Sequence, residues 1–459
     1  MKKVLVIGLD SAPHELIFDE MTNELPMFKK LMENGMYGSL KSSIPAITIP
    51  AWMTMCTGKN PGKLGFYGFR NRRENSYEDI FIANARAVLE PTIWQILSNS
   101  GKKVILLGVP QTYPPKTVNG LLVAGFLTPD ITSDYTYPSE LKHEIEKVVG
   151  KYILDAEEFR TEEKDKLLAE IYEMTEKRFK LFRHFLTTKE WDFAMMVEMG
   201  TDRIQHGFWK FHDKKHIKHQ PGNKYENSIR EYYKYIDNEI AETLKLIDDD
   251  IAILIVSDHG AQRMDGSICV NDWLIQEGYL KLKEKPSSIT RIKNLKVDWK
   301  NTKAWGWGGY VCRMFLNVKG REPEGCIDPE DYEKVLNELK EKLENIPDDK
   351  GRKMNTIAYR RDDIYNGPYV NRMPDLVVSF DDLYWRSSED VGHSEIYTFE
   401  TEIGPDDAMH SQYGMFILSN AGKKRGRVEG CELIDGAQNI FDILGMAPPN
   451  DMEGKIWNR

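Results

Sequence analysis

Cysteine is scarce in this sequence, and its cysteines are not arranged in pairs. Five cysteines are spread over 459 residues, none of them in a CxxC motif, and their number is odd. A disulfide framework is therefore not expected in a chain of this size, and reduced thiols are the better interpretation. We accordingly predict a cytoplasmic location.

Long hydrophobic runs are also missing. No apolar stretch approaches the roughly 20 residues that a membrane-spanning helix needs. The first apolar run, in MKKVLVIGLD, ends at Asp10. That run is too short for a signal peptide and fits a first β-strand instead. The sequence thus predicts no transmembrane segment.

An excess of positive charge, internal repeats and low-complexity tracts are absent as well. The formal net charge is -10, whereas proteins that bind nucleic acid usually carry a basic face. We therefore expect no nucleic-acid partner. An anionic substrate would have to meet local positive charge from arginine, lysine or metal ions. The oligomeric state stays open.

The sequence does contain a series of short apolar runs. Most of them are continuous rather than alternating, as is typical of strands that are covered on both faces. Segments with helical spacing lie between the runs. This alternation predicts an α/β protein with a doubly wound, mainly parallel central sheet flanked by helices. The runs are KVLVIGL, KVILLGV, FAMMVEM, IAILIVS, RMFLNV, DLVVSF and GMFILS.

The pattern changes after residue 269. Residues 285–303 are polar and irregular, and the stretch up to residue 369 mixes short apolar runs with one highly charged helix. We predict that residues 270–370 form a small inserted α+β subdomain. Residues 1–269 and 371–459 would form the main domain, with the central sheet resuming at MPDLVVSF.

An aspartate follows each of three apolar runs. The carboxyl ends of parallel strands lie at one edge of a sheet, which is where open α/β sheets bind ligands. Each aspartate alone is explained equally well by a helix cap or a polar turn, but their shared position predicts one site. They are Asp10 after KVLVIGL, Asp202 after FAMMVEM and Asp258 after IAILIVS.

Three histidines accompany these aspartates. His259 adjoins Asp258, and His206 follows Asp202 at a spacing that places both on one face of a helix. His410 precedes the run GMFILS. A single histidine of this kind is more often structural than a ligand. The whole set, however, is sufficient for two divalent metal ions with three protein ligands each, leaving positions for substrate.

Thr48 lies between Pro45 and Pro50 in the segment SIPAITIPAW, just before a predicted helix. The prolines exclude the interior of a central strand. A hydroxyl at a helix N-terminus faces free backbone N–H groups, which suits an anionic phosphoryl group. Thr48 is either a simple helix cap or, beside metal ions, a candidate nucleophile.

The ordered set of motifs resembles the alkaline phosphatase superfamily, and within it the type I phosphodiesterase/nucleotide pyrophosphatase group. The matching segments follow the family order along nearly the whole chain. Uncharacterised prokaryotic members described as phosphohydrolases or phosphomutases are also similar. The segments are GLD at Asp10, PAITIPAW at Thr48, TGKNPGKLG, TDRIQH, SDHG and HSQYG.

The resemblance implies an alkaline phosphatase-like fold and two divalent ions, with zinc favoured and manganese or iron as alternatives. It implies that Thr48 attacks the phosphorus of a small-molecule phosphoester, for which a nucleotide is one candidate. Water would then hydrolyse the phospho-threonine intermediate. One ion would be held by Asp202, His206 and His410, and the other by Asp10, Asp258 and His259 together with Thr48.

Two departures from related families bear on the activity. Thr48 cannot mature to formylglycine, and no arginine completes the C/S-x-P-x-R pattern, which disfavours a sulfatase. Nucleotide pyrophosphatases usually place a phosphate-binding asparagine soon after the TG pair. That position is Phe69 here, with Arg70 and Asn71 beside it, so the preference between diesters and monoesters stays open.

Three alternatives therefore remain beside a phosphodiesterase. The chain can be a phosphomonoesterase, or a phosphomutase or phosphotransferase that passes the phosphoryl group to an alcohol. A non-catalytic metal-binding member is a further alternative. We expect substrate specificity to come from the inserted residues 270–370 and from the loop after Thr48.

Overall fold

Strands and helices alternate along the chain, as the apolar runs predict. The computed structural model describes residues 2–423 and 425–457. The strands are β1 (Val4–Leu9), β2 (Gly35–Lys41), β3 (Arg70–Arg72), β4 (Ile80–Ile82), β5 (Val104–Val109), β6 (Gly120–Ala124), β7 (Thr136–Tyr137), β8 (Phe193–Glu198), β9 (Ala252–Val256), β10 (Gly260–Arg263), β11 (Gly266–Cys269), β12 (Thr290–Arg291), β13 (Ala304–Trp307), β14 (Cys312–Leu316), β15 (Ile357–Arg360), β16 (Leu376–Ser379), β17 (Trp385–Ser388), β18 (Asp390–Val391), β19 (Tyr397–Thr398), β20 (Ala408–Ser411), β21 (Tyr413–Ser419), β22 (Gly426–Arg427) and β23 (Cys431–Glu432). The α-helices are α1 (Pro26–Glu33), α2 (Thr48–Thr57), α3 (Pro61–Leu64), α4 (Ile93–Asn99), α5 (Leu141–Val149), α6 (Lys164–Thr188), α7 (Gly200–His212), α8 (Ser228–Leu244), α9 (Val270–Gln276), α10 (Tyr332–Glu344), α11 (Arg361–Ile364) and α12 (Gly436–Leu444).

The central sheet has the strand order β22-β2-β21-β9-β1-β8-β5-β6-β7, and β23 also pairs with β2. The strands from β9 to β6 run parallel to one another. β21 lies between β9 and β2 and is antiparallel to both. Every residue of β1, β5, β8 and β9 is buried, because helices cover the sheet. The predicted α/β fold with a largely parallel central sheet is therefore confirmed.

Helices α6, α7 and α8 pack against one another beside this sheet. The three- and four-residue spacing of apolar side chains in α6 buries Phe179, Phe182 and Phe185, since residues at that spacing share one face of a helix. Helix α6 is 25 residues long. Even so, no helix in the described part of the chain combines such length with the apolar character that crossing a bilayer requires.

Helix α2 packs directly on the first strand. The indole of Trp52 lies over Gly8 of β1, where an added Cβ would be only 2.4 Å from the ring atom Cη2. Glycine is therefore required at this close approach. The contact fixes the start of α2, and with it Thr48, near the carboxyl end of β1.

A second unit is built on the antiparallel sheet β13-β14-β16-β15. Its buried apolar cluster extends from Ile268 to Trp385 and also includes Ile47, the neighbour of Thr48. Strand β16, in MPDLVVSF, pairs with β14 and β15, so the expectation that the central sheet resumes there is wrong. A continuous apolar run fits any strand covered on both faces and does not specify its partner. The division at residues 270–370 stays a prediction.

Candidate metal centre

Three neighbouring parallel strands end at the same edge of the central sheet. Gly8 of β1 lies opposite Val197 of β8 and Val256 of β9. An aspartate follows each strand within a few residues, and all three carboxylates are buried. The structure thus brings together side chains that are far apart in sequence. The three are Asp10 after β1, Asp202 in the first turn of α7 after β8, and Asp258 after β9.

A two-stranded ribbon positions two of the histidines. β10 begins directly after His259 and pairs with β20, where Ala261 lies opposite His410. The imidazole rings of His259 and His410 stack with 3.8 Å between their centroids. His206 lies on α7 one turn after Asp202, as the four-residue spacing predicts.

The six side chains form two groups. Within each group the candidate ligand atoms all lie within 4.8 Å of one another. We call them the Thr48-side group (Asp10, Asp258 and His259) and the α7-side group (Asp202, His206 and His410). These are the same two sets that the family resemblance assigns to two ions. Their role as metal ligands stays a prediction.

In the Thr48-side group, the backbone and Trp52 orient the ligand atoms. His259 Nδ1 donates to the Gly260 carbonyl oxygen at 3.0 Å. Its Nε2 then lies 3.2 Å from Asp258 Oδ2 and 3.4 Å from Thr48 Oγ1. Asp10 Oδ2 accepts a hydrogen bond from Trp52 Nε1 at 2.7 Å. The hydrogen bond on Nδ1 fixes the tautomer that leaves Nε2 free to bind a metal.

The same group carries carboxylate oxygens without a partner. Asp258 Oδ1 accepts the backbone N–H of Ser11 at 3.1 Å, but Asp258 Oδ2 and Asp10 Oδ1 accept no hydrogen bond from any described residue. Burial, and then the charge of a neighbouring aspartate, raises the pKa of both Asp10 and Asp258 well above the usual value. Burial lowers the pKa of His259 to about 4. Unsatisfied carboxylate oxygens beside a neutral imidazole are a donor set that fits a divalent ion.

The α7-side group is balanced by charges from the protein itself. His206 Nε2 lies 3.2 Å from Asp202 Oδ1, and Asp202 Oδ2 accepts a hydrogen bond from Arg203 Nη1. Burial would raise the pKa of Asp202, but His206 and Arg203 lower it below the usual value. His410 Nδ1 donates to the Ala46 carbonyl oxygen at 2.7 Å. This bond leaves His410 Nε2 available on the side of Asp202, at 3.9 Å from Oδ1.

Asp406 is a site residue that the sequence reasoning missed. Its Oδ1 lies 2.6 Å from His206 Nδ1, and its Oδ2 accepts a hydrogen bond from Arg160 Nε at 2.8 Å. Burial would lower the pKa of His206, but Asp406 raises it well above the usual value. A carboxylate on the far nitrogen is how metal-binding histidines are commonly oriented. The available signal was the pair of aspartates just before His410, in DDAMH.

Tyr310 was also missed, because the second unit supplies it. Its hydroxyl lies 3.2 Å from His206 Nε2, and its ring stacks on His410 with 3.7 Å between the centroids. The second unit therefore contacts the α7-side group directly.

Thr48 is the first residue of α2 and is buried. The first backbone hydrogen bond within the helix runs from the Ala51 N–H to the Ile47 carbonyl oxygen, at 3.0 Å. The preceding N–H groups of the helix have no intrahelical partner, and the helix dipole adds positive partial charge there. The Thr48 hydroxyl thus lies between an electropositive helix end and the imidazole of His259.

A cleft of about 380 Å³ opens onto Thr48 and the α7-side group. Thr48, Asp202 and His410 line it, together with Phe69 from the loop after α3 and Arg70, the first residue of β3. The amide of Asn71 is used inside that loop instead. Its Oδ1 accepts the Tyr67 N–H, and its Nδ2 donates to the Gly68 carbonyl oxygen, both at 2.8 Å. The arginines along the cleft are Arg70, Arg160, Arg203, Arg313 and Arg386.

Comparisons with known proteins agree with this architecture. A family model described as type I phosphodiesterase / nucleotide pyrophosphatase matches residues 4–406. Among solved structures, an inactive variant of murine ectonucleotide pyrophosphatase/phosphodiesterase 5 in complex with AMP is 12% identical, with a TM-score of 0.57 over 100% of this chain and 98% of that one. The human protein of the same name is 12% identical over the same shares, with a TM-score of 0.54. At this identity the likeness shows the fold. No curated protein matches the chain.

Proposed function

Because the chain belongs to the type I phosphodiesterase/nucleotide pyrophosphatase family, we propose that it is a divalent-metal-dependent phosphoester hydrolase with Thr48 as its nucleophile. The carrying observation is the position of Thr48 Oγ1, 3.4 Å from His259 Nε2, on a cleft that Asp202 and His410 also line. The proposed substrate is a small-molecule phosphoester. A nucleotide is one candidate, since a murine structure of similar fold holds AMP.

In this proposal each ligand group holds one ion, zinc being favoured over manganese or iron. The bound ions would neutralise charge on the attacking and leaving oxygens of the reaction. The donor set supports this assignment, because Asp10 Oδ1 and Asp258 Oδ2 have no hydrogen-bond donor among the described residues. The cytoplasmic location stays a prediction.

The protein's own groups would act in two chemical steps. In the first, Thr48 Oγ1 attacks the phosphorus, the bond to the leaving alcohol breaks, and a phospho-threonine ester forms. The N-terminus of α2 favours this step because its free N–H groups face the phosphoryl oxygens. In the second, water attacks the same phosphorus and releases phosphate or a phosphomonoester, which restores the Thr48 hydroxyl.

Charged side chains around the α7-side group would keep its ligands in place. Arg203 donates to Asp202 and, through Nε at 2.8 Å, to Asp155. Asp406 Oδ1 holds the ring of His206 by accepting a hydrogen bond from Nδ1, at 2.6 Å. Both contacts restrict the orientation of a ligand before substrate binds, which lowers the cost of assembling the reactive geometry.

The test is Thr48→Ala, assayed on p-nitrophenyl phosphodiesters and monoesters with added zinc or manganese. We expect turnover to fall on the order of a thousandfold or more, because the attacking atom is lost. Metal content measured by elemental analysis should be unchanged. Thr48→Ser keeps a hydroxyl and is the matched control, expected to retain activity.

Turnover that persists in Thr48→Ala would contradict the proposed nucleophile. Product analysis with an added acceptor alcohol separates hydrolysis from phosphotransfer, because a transferase would release the phosphorylated alcohol. A wild-type protein that neither binds a divalent ion nor turns over any ester would be the non-catalytic member of the family.

A further inference from the structure

Arg313 is a buried arginine in the wall of the cleft, and it forms no ion pair with a carboxylate of the described residues. It lies in β14, between Trp307 of β13 and Val377 of β16, and only 6% of it is exposed. Its Nη2 donates to the Gly308 carbonyl oxygen, and its Nη1 donates to the carbonyl oxygen of Arg70 at 3.4 Å. Among the described residues, Arg313 Nε has no acceptor and the side chain forms no ion pair.

The carboxylates near Arg313 form hydrogen bonds with other arginines. Arg70 uses both carboxylate oxygens of Glu389, at 3.1 Å. Arg386 Nη2 donates to Glu402 Oε1 at 3.0 Å, while the Nε of Arg386 also lacks an acceptor among the described residues. Asp406, on which the charge of Arg386 also acts, accepts a hydrogen bond from Arg160. The charge of Glu389 acts on Arg313 as well, but among the described residues no carboxylate oxygen lies within ion-pair distance of Arg313.

A buried guanidinium without an ion-pair partner is unfavourable, because taking the charge out of water is costly. Burial, and then the charge of Arg70, lowers the pKa of Arg313, but arginine stays protonated in proteins. The group therefore gains most from an anion that enters the cleft. A planar guanidinium binds a carboxylate or a phosphate through two parallel hydrogen bonds.

Two glycines leave room beside this guanidinium. A Cβ on Gly68 would lie 3.3 Å from Arg313 Nη1, and a Cβ on Gly309 would lie 3.7 Å from Nη2. Gly309 has φ +131°, a conformation that other residues rarely adopt. Larger residues at these positions would fill the space next to Arg313 that a ligand oxygen needs.

We propose that Arg313, with Arg70 and Arg386, forms a subsite for a second anionic group of the substrate. The substrate class is then phosphoesters that carry an additional carboxylate or phosphate. This inference rests on the proposed function, because the first anionic group is the phosphoryl group that Thr48 attacks. The second unit supplies Arg313, so it sets the substrate class while the central sheet supplies the reaction centre.

The test compares three series of ligands of increasing chain length by calorimetric titration of the metal-loaded protein. The series are alkylphosphonates, ω-carboxyalkylphosphonates and α,ω-diphosphonates. At the chain length that spans the cleft, we expect a second anionic group to tighten binding about tenfold, as a bidentate arginine contact does. The two charged series distinguish a carboxylate from a second phosphate.

In Arg313→Met, the affinity advantage of ligands with a second anionic group should fall to about threefold or less. Methionine has neither the positive charge nor the paired N–H donors of the guanidinium. Arg73→Met is the matched control. Arg73 is exposed and contacts Asp79, so this variant should keep the full advantage. Arg313→Lys keeps the positive charge without the paired N–H donors, and this variant should keep part of the affinity advantage. If Arg313→Met does not fold, as judged by circular dichroism, the comparison is made on Arg313→Lys alone.

A wild-type protein without any advantage for a second anion, or an advantage that survives in Arg313→Met, would overturn the subsite. Hydrolysis of a p-nitrophenyl ester by the same preparation reports on the proposed function separately. Turnover without an anion preference contradicts only the subsite. An Arg313-dependent preference in a protein without turnover supports the subsite and contradicts the hydrolase.

Discussion

The two ligand groups of the candidate metal centre contain the same residue types in different electrostatic surroundings. In the α7-side group, Asp202 contacts Arg203 and His206 contacts Asp406. In the Thr48-side group, Asp10 and Asp258 meet only neutral donors, and no arginine or lysine of the described chain forms an ion pair with them. The α7-side group is therefore partly neutralised by the protein. The Thr48-side group depends on an added cation for its charge balance.

The largest expected effect comes from removing one histidine of each group. His259→Ala should lose the ion of the Thr48-side group, and His206→Ala should lose the ion of the α7-side group. Each variant then binds one ion per chain instead of two, and activity should fall on the order of a hundredfold or more, because both ions serve one reaction. Elemental analysis after dialysis measures the stoichiometry.

His143→Ala, an exposed histidine outside the cleft, is the control for this pair and should keep both ions. Loss of both ions in either variant, or of neither, would remove the distinction between the two groups.

A smaller effect is expected from Asp406→Asn. The change weakens the acceptor that orients His206, and such a loss lowers metal affinity or activity by about 10- to 100-fold. Only the α7-side ion should be affected. Chelator competition on the wild type and the variant measures the affinity.

Asp407→Asn is the matched control, since the side chain of Asp407 contacts Lys210 at 3.5 Å and only its backbone N–H, which the substitution keeps, donates to His206. If Asp406→Asn and Asp407→Asn bind metal equally well, the orienting role of Asp406 is wrong.

The smallest effect concerns the pH dependence of stability after chelation. The pKa values of Asp10 and Asp258 in the folded protein lie above the ordinary value of 3.8, so the folded state holds protons that the unfolded chain releases. Their contribution to the free energy of unfolding is therefore present at low pH and is lost as the pH rises from about 4 through the folded pKa. Asp202, whose pKa is lowered, contributes with the opposite sign.

Thermal unfolding of the chelated wild type and of chelated Asp258→Asn, from about pH 5 to pH 8, measures this effect. We expect the variant to lose less stability over that range, by a few degrees or less. Added zinc should reduce the pH dependence of stability in the wild type and leave that of the variant unchanged. Identical slopes in the two chelated proteins would show that Asp258 is not protonated in the folded state.

The apolar runs of the sequence predicted β1, β5, β8, β9 and β21 of the central sheet, because a buried strand requires a continuous apolar run. They did not predict β2, β6, β7, β22 and β23, which are shorter or partly exposed. The sequence placed β14 within the inserted residues 270–370 but assigned β16, which pairs with β14, to the central sheet. Their runs, RMFLNV and DLVVSF, have the same apolar character, and strand pairing is decided by contacts far apart in the chain. A local pattern therefore predicts that a strand exists and leaves its neighbour undetermined.

In the candidate site, too, local patterns predicted some residues and missed others. Asp10, Asp202 and Asp258 could be recognised because each stands beside an apolar run, and the rule that parallel strands end at one edge then places them together. Asp406 and Arg313 have no such local marker. Asp406 reaches His206 across 200 residues, and the significance of Arg313 is its lack of an ion-pair partner, which only the assembled cleft reveals.

The position of β21 has a consequence for the synthesis of the protein. In the described sheet, the partners of β2 are β21, β22 and β23, and all three come from residues after 412. During translation β2 therefore has no partner in the sheet until nearly the whole chain has left the ribosome. His410 emerges just before β21, so the last candidate ligand of the metal centre and the strand that joins β2 to β9 arrive together. Pairings this distant in sequence form late and slowly, and metal capture would thus mark the completion of the fold in a newly made chain.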